Sequence, residues 1–192
     1  MDKKIETILD ASSKIFSRYG YKKTTMQDIG DKLGMTKSNL YLYFASKEDL
    51  YIKSVSYQLD KWRKEVESTI SKLPSAKEKF EIACKKSFEY IHNNEVLKNL
   101  VEEDPDIFVT NHDSDRFIDV NINAQKILKN IITEGKKKGE FRNVNIDNTV
   151  EYIFSTYMMY LIKLYSQKDR YTTEKQVDDA IDLLKHGLLL KQ

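Results

Sequence analysis

Six glycines and two prolines are all the chain spends on turns in 192 residues. A sheet protein needs turn residues at short, regular intervals, so this scarcity restricts the chain to long helices joined by few breaks. The apolar pattern agrees. Over residues 3–19, Ile5, Ile8, Leu9, Ser12, Ile15, Phe16 and Tyr19 follow the three-and-four spacing of an amphipathic helix that Gly20 ends. Leu50, Val55, Leu59, Trp62, Val66, Ile70 and Leu73 draw one long stripe that Pro74 closes. Ser75 with Glu78 opens a further helix carrying Phe80, Ala83, Cys84, Phe88 and Ile91. A short helix precedes Pro105, an irregular link follows it, and three more helices are expected over 116–138, 146–167 and 173–191. No repeat and no strand pattern appears, so the fold class is all-α.

The 40% hydrophobic, 32% charged and 11% aromatic content is that of a globular chain. No run reaches the roughly 18 apolar residues of a membrane span, and MDKKIETILDASSK has no apolar signal core, so a cytoplasmic protein without membrane attachment is expected. The single cysteine, Cys84, excludes an internal disulfide and sits at helical spacing between Phe80 and Phe88, which suits a packed thiol.

A formal charge of +2 does not suggest nucleic acid, but its distribution does. Residues 1–47 hold nine Lys/Arg against five Asp/Glu, a net +4, and the remainder carries −2. Within that basic quarter, Thr25 with Asp28 forms a capping-box pattern before a short helix with Ile29 and Leu33 inside. Gly30 supplies a small residue where two helices cross, and Gly34 a turn four residues later. Thr36 caps a third helix whose inward residues are Leu40 and Tyr43, leaving Lys37, Ser38, Asn39 and Tyr41 on its outer and N-terminal surface. Such donor-rich side chains suit base edges and phosphates. Free amides at the helix starts capped by Thr25, Thr36 and Ser46 suit anions. Lys47 is electrostatically odd in the first turn of the fourth helix, and a nearby phosphate would remove the oddity.

TTMQDIGDKLGMTKSNLYLYFASKEDL resembles the signature of the tetracycline-repressor (TetR) family of bacterial regulators, in which TT, DIA, a turn glycine, LY, YF and SKE recur in this order. The resemblance spans roughly residues 5–55. It implies a three-helix DNA-binding head over 1–47, with its helix-turn-helix at 25–44, and an α-helical effector-binding and dimerisation body over 48–192. Carried over by position, it makes Thr25 a phosphate contact and Gln27 a base or backbone contact. Lys37, Ser38 and Asn39 become the groove-facing set, Tyr41, Tyr43 and Lys47 phosphate contacts, and Thr36 is counted among the DNA-binding residues. Gly30 replaces the family's usual alanine, which would loosen the second helix by about 1 kcal/mol.

In the body, Trp62, Phe88, Phe108, Phe117 and Tyr157 could line an apolar effector pocket, and the acidic run EEDPD at 102–106 could attract a cationic ligand. The alternatives are ordinary core and a solvated turn. The last two helices are more apolar than a one-sided helix requires, with Tyr152, Met159, Tyr160, Ile162, Leu183, Leu189 and Leu190 off the main stripe. A homodimer is expected there, with Phe154, Met158, Leu161, Ile181, Leu184 and Leu188 as interface candidates, the alternative being a central helix of one domain.

Enzyme chemistry has little support. His92, His112 and His186 form no metal-ligand spacing; His112 beside Asp113 and Asp115 lacks a third fixed ligand; and no phosphate loop or nucleophile elbow is present. No cofactor or metal is expected. The expected function is a ligand-responsive repressor that binds a pseudo-palindromic double-stranded DNA operator as a homodimer and is released by a small-molecule effector. The alternative is a helical adaptor or ligand-binding protein that offers the basic face to a protein partner.

Overall fold

In the computed structural model, residues 2–108, 115–166 and 174–189 are described; the 109–114 part of the expected irregular link, with His112 and Asp113, lies outside them. The described residues form nine α-helices with one 3-10 turn and one π turn, and their only bridge is the isolated antiparallel pair Phe141–Leu189. Among the described residues no helix is long and apolar enough to cross a membrane.

The head consists of α1 (Lys3–Tyr19), α2 (Met26–Leu33) and α3 (Lys37–Tyr41). Local chemistry sets its breaks. Gly20 ends α1 at φ 78°, where its N–H reaches Phe16 O. The Thr25 hydroxyl accepts from Asp28 N while the Asp28 carboxylate accepts from Thr25 N, a closed capping box at the start of α2. Gly34 takes the left-handed conformation at φ 63° that stops α2. Thr36 then caps α3 through Asn39 N. Ile29 and Leu40 are wholly buried and Phe44 nearly so, which fixes the angle between α2 and α3 at about 1.5–3 kcal/mol per side chain.

Gly30 corrects the sequence expectation. Met35 N donates to Gly30 O at 2.9 Å, and a Cβ added at Gly30 would lie 2.5 Å from Met35 O. The glycine lets α2 and the turn touch backbone to backbone, so its lower helix propensity is the cost of a closer crossing rather than a loosened helix.

The body begins with α4 (Lys47–Ile70), which packs on α1, on α5 (Ala76–Asn93) and on α7 (Ile118–Lys137). The α1–α4 seam is unusually polar, with Ser12, Ser13, Ser17, Ser54 and Gln58 all buried and Gln58 Nε2 donating to Ser13 Oγ at 2.7 Å. The short α6 (Glu95–Glu103) lies against α1 and leads into a 3-10 turn, Pro105–Phe108. Next comes α8 (Ile146–Leu161), which the sequence reads as continuing to 167; its last turn widens into a π turn at Ile162–Ser166 that packs on α6 and the 3-10 turn. The last helix is α9 (Glu174–Leu188).

Candidate nucleic-acid interface and ligand cavity

Thr36, Lys37, Ser38, Asn39 and Tyr41 are exposed together around α3, with the Lys37 ammonium 5.8 Å over the Tyr41 ring. Leu42, which the sequence argument passed over, projects beside them at 79% exposure. Its signal lay in the pattern: with Leu40 and Tyr43 turned inward, residue 42 must turn out. Tyr43 is half-buried against the core, and Lys4 lies 5.2 Å over its ring; the Tyr43 hydroxyl hydrogen bond holds the Lys4 ammonium above its ordinary 10.5.

Three residues read as DNA contacts, Gln27, Lys47 and Thr25, have partners inside the protein. Gln27 Nε2 donates to Asp31 Oδ1 at 2.6 Å, one turn along α2. Lys47 is half-buried, and its ammonium donates to Tyr21 O at 2.9 Å and Thr24 O at 3.1 Å while sitting 4.2 Å over the Tyr21 ring. A cation at a positive helix end is therefore explained without a phosphate: Lys47 ties the α1–α2 turn to α4. Thr25 is exposed but its hydroxyl donates to Asp28 Oδ2 at 2.7 Å, and that bond, with the Thr25 backbone N–H, holds the Asp28 carboxyl below its ordinary 3.8.

From Lys47 a chain of contacts runs into the body. Tyr21 meets Tyr51 at 4.9 Å between ring centres, and Tyr51 meets Phe16 edge-on at 5.1 Å. The Tyr51 hydroxyl, in a ring only 2% exposed, donates to Asp104 Oδ2 at 2.7 Å. Burial, then the Asp104 carboxylate, push the Tyr51 phenol well above 10.0, so it stays a donor. Arg116 Nη2 grips both Asp104 oxygens at 3.0 and 2.8 Å. Within the acidic run Glu103 and Asp106 are exposed, but Asp104 is not a free cation site: that carboxylate is shared between a tyrosine and an arginine.

Beyond this cluster lies a cavity of about 140 Å³ walled by α4, α5, the 3-10 turn, α7, α8 and α9. Of the aromatic residues expected there, Trp62, Phe88, Phe108 and Tyr157 line it. Phe117 does not; it is buried beneath the Arg116 guanidinium, 5.4 Å from its ring. The interface candidates need a larger correction. Phe154, Met158, Leu161 and Ile181 are buried within this chain and line the same cavity, as does the half-buried Leu184, while Leu188 is buried at the end of α9. The apolar side chains that face outward on α8 and α9 are Tyr152 (71% exposed), Met159 (44%) and Leu183 (75%). Cys84 also lines the cavity, and burial pushes its thiol up to about 12, as suits a packed, unreactive group. Among the described residues no three His, Cys, Asp or Glu side chains are grouped to hold a metal ion.

Residues 8–53 match the family profile "Bacterial regulatory proteins, tetR family", and residues 55–189 match "QacR-like protein, C-terminal region". The fatty acid metabolism regulator protein of Bacillus subtilis is 22% identical over 185 residues, 94% of this chain and 93% of that protein. Two solved structures share the fold. One is the transcriptional regulator FadR of Bacillus subtilis in complex with stearoyl-CoA, with a TM-score of 0.77 at 22% identity, covering 96% of this chain and 99% of that one. The other is a transcriptional regulator of Cytophaga hutchinsonii, with a TM-score of 0.78 at 23% identity, covering 98% and 100%.

Proposed function

Since the chain belongs to the TetR family of DNA-binding, ligand-binding transcription regulators, we propose that it is a homodimeric repressor released from a pseudo-palindromic operator by a small molecule in its body cavity. The observation that carries the proposal is the exposed set Thr36 to Asn39 with Tyr41, held at a fixed angle by the Gly30–Met35 backbone contact. Lys37, Ser38 and Asn39 are assigned to base edges, and Thr25, Thr36 and Tyr41 to phosphates, with Leu42 against sugar or a thymine methyl. Tyr43 reaches phosphate only at the rim of its packed ring. Gln27 can make a DNA contact by exchanging its bond to Asp31, whereas Lys47 acts by bracing the turn beneath α2. The head spans 1–47 and the body 48–192, with α4 continuous between them.

Two heads entering successive major grooves would place their α3 helices about 34–36 Å apart. Tyr152 and Met159, seven residues apart and so on one face of α8, together with Leu183 of α9, supply an outward apolar surface for the partner copy. Coupling follows from where the cavity wall is anchored. Ile107 and Phe108 follow Asp104 within one turn, and Val120 and Asn121 follow Arg116 closely. An occupant that moves either segment moves the Asp104–Arg116 pair, and through Tyr51 and Tyr21 the base of the head. By linkage, DNA and effector weaken each other's binding to the same degree. One relative is solved with stearoyl-CoA; an apolar effector fits the wall found here. The protein would be cytoplasmic and nucleoid-associated when bound.

Hydroxyl-radical footprinting of the DNA upstream of its own gene tests the proposal. Two protected stretches about one helical turn apart are expected, and uniform protection at all protein concentrations would refute it.

A further inference from the structure

Leu42 is 79% exposed, the largest exposure of any bulky apolar side chain among the described residues. It stands on an otherwise polar surface, beside Ser38, Asn39 and Tyr41, in the basic quarter of the chain. The backbone carries the helical winding of α3 through this residue: Leu42 has φ −70° and ψ −22°, and its N–H donates to Asn39 O at 3.3 Å. The next residues are tied to the same turn, with Tyr43 N and Phe44 N donating to Leu40 O at 3.0 and 3.1 Å. At about 100° per residue, Ser38 and Leu42 each point about 160° away from the wholly buried Leu40. They are about 40° apart on one outward row, with Tyr41 to one side and Asn39 to the other.

The row opposite the buried side is the part of α3 that goes deepest into a major groove, where the base edges lie. Deoxyribose and phosphate form the groove walls, which the flanking residues face. The base edges offer donors, acceptors and one apolar group, the thymine C5-methyl. A leucine side chain has nothing to donate or accept. Against any other edge it strips water from a polar group and returns no hydrogen bond.

Resting on the assignment of α3 to DNA, we propose that Leu42 is a specificity-determining residue that reads the C5-methyl group of one thymine in each operator half-site. Its place in the central row puts it over a base rather than a sugar. Ser38 lies about 6 Å from it along the helix axis, so the thymine falls within roughly two base-pair steps of the base that Ser38 meets.

The test uses the whole protein and a duplex of the stretch protected upstream of its gene, with each thymine replaced in turn by deoxyuridine. Uracil pairs as thymine does and keeps its O4 in the groove, so the exchange removes one methyl group alone. At one position per half-site it should weaken the wild type about fourfold, the worth of one buried carbon group. Leu42→Ala should bind the all-thymine duplex at least about fourfold more weakly and be indifferent to deoxyuridine at that position. Its Tm should stay within about 2 °C of wild type, since the side chain is exposed. Tyr41→Phe, on the flank, should leave the deoxyuridine effect intact. The proposal is overturned if no position shows the effect, or if Leu42→Ala feels the exchange as the wild type does. It is also overturned if Leu42→Ala weakens the upstream and random duplexes alike, which marks a backbone contact. A wild type that prefers the upstream duplex but gives a flat deoxyuridine scan loses only the Leu42 assignment. A wild type that protects no stretch there, or binds it no better than random duplex, loses the regulator reading and this assignment with it.

Discussion

Lys47→Met separates two roles for a residue that sequence places on DNA and geometry places in the head. Methionine keeps an apolar stem over Tyr21 and removes the ammonium that now donates to Tyr21 O and Thr24 O at 2.9 and 3.1 Å. A charge-assisted hydrogen bond contributes about 1.5–3 kcal/mol when buried. Both bonds here are only part-buried and the apolar contact of the stem with the Tyr21 ring is kept although the cation–π attraction is lost, so a total loss of roughly 2 kcal/mol is reasonable. In a chain of this length that is about 4–8 °C in Tm. The assay pairs a thermal melt with operator binding by anisotropy across salt concentrations. If Lys47 is a brace, the melt falls by that amount, affinity falls through a loosened α2, and the slope of log K against log salt is unchanged. If it instead meets a phosphate, the slope falls by roughly 0.9. A melt within 1 °C of wild type with a slope reduced by about one would refute the bracing account.

Gly30→Ala sets a helix-propensity gain of about 1 kcal/mol against a Cβ placed 2.5 Å from Met35 O, where overpacking costs about 1–3 kcal/mol. A net loss near 1 kcal/mol by denaturant melt is expected, and a more stable variant would contradict the close crossing. Tyr51→Phe and Arg116→Met should be coupled through Asp104 by about 0.5–2 kcal/mol in a double-mutant cycle, and additivity within about 0.3 kcal/mol would deny the shared carboxylate. Leu183→Glu should yield a folded monomer by light scattering, whereas Leu161→Glu, at a wholly buried position, should fail to fold. The folded Cys84 thiol titrates near 12 rather than 9.0, so the folded state keeps a proton that the unfolded chain loses. Its contribution is full below about pH 9 and is lost as pH climbs towards about 12; Cys84→Ala should flatten that alkaline fall in stability.

Features that depend on neighbours three or four residues away were legible in the sequence. The Thr25–Asp28 box, the Thr36, Ser46 and Ser75 caps, and the Gly34 turn all rest on local hydrogen bonds or a local φ, and each stands as the pattern implies. What failed depended on distant partners. Lys47 finds its acceptors 26 and 23 residues back, and nothing in SKEDL announces them. Asp104 meets Tyr51 across 53 positions, so an acidic run looked like a loop or a cation trap. The main stripes of α8 and α9 were offered to a partner chain because periodicity finds an apolar face without saying what lies opposite; here it is the cavity of the same chain. The residues that turn outward, Tyr152, Met159 and Leu183, were visible as a surplus off that stripe.

The central claim is that the exposed α3 set reads DNA sequence. Anisotropy titration at physiological salt, with a labelled duplex from upstream of the gene and random duplex of equal length, tests it most directly. The account predicts binding to the upstream duplex at least 10³-fold tighter, with Asn39→Ala or Lys37→Ala narrowing that ratio and Tyr41→Phe weakening both duplexes alike. Equal affinity for the two duplexes would contradict it, and would leave the basic face to a protein partner.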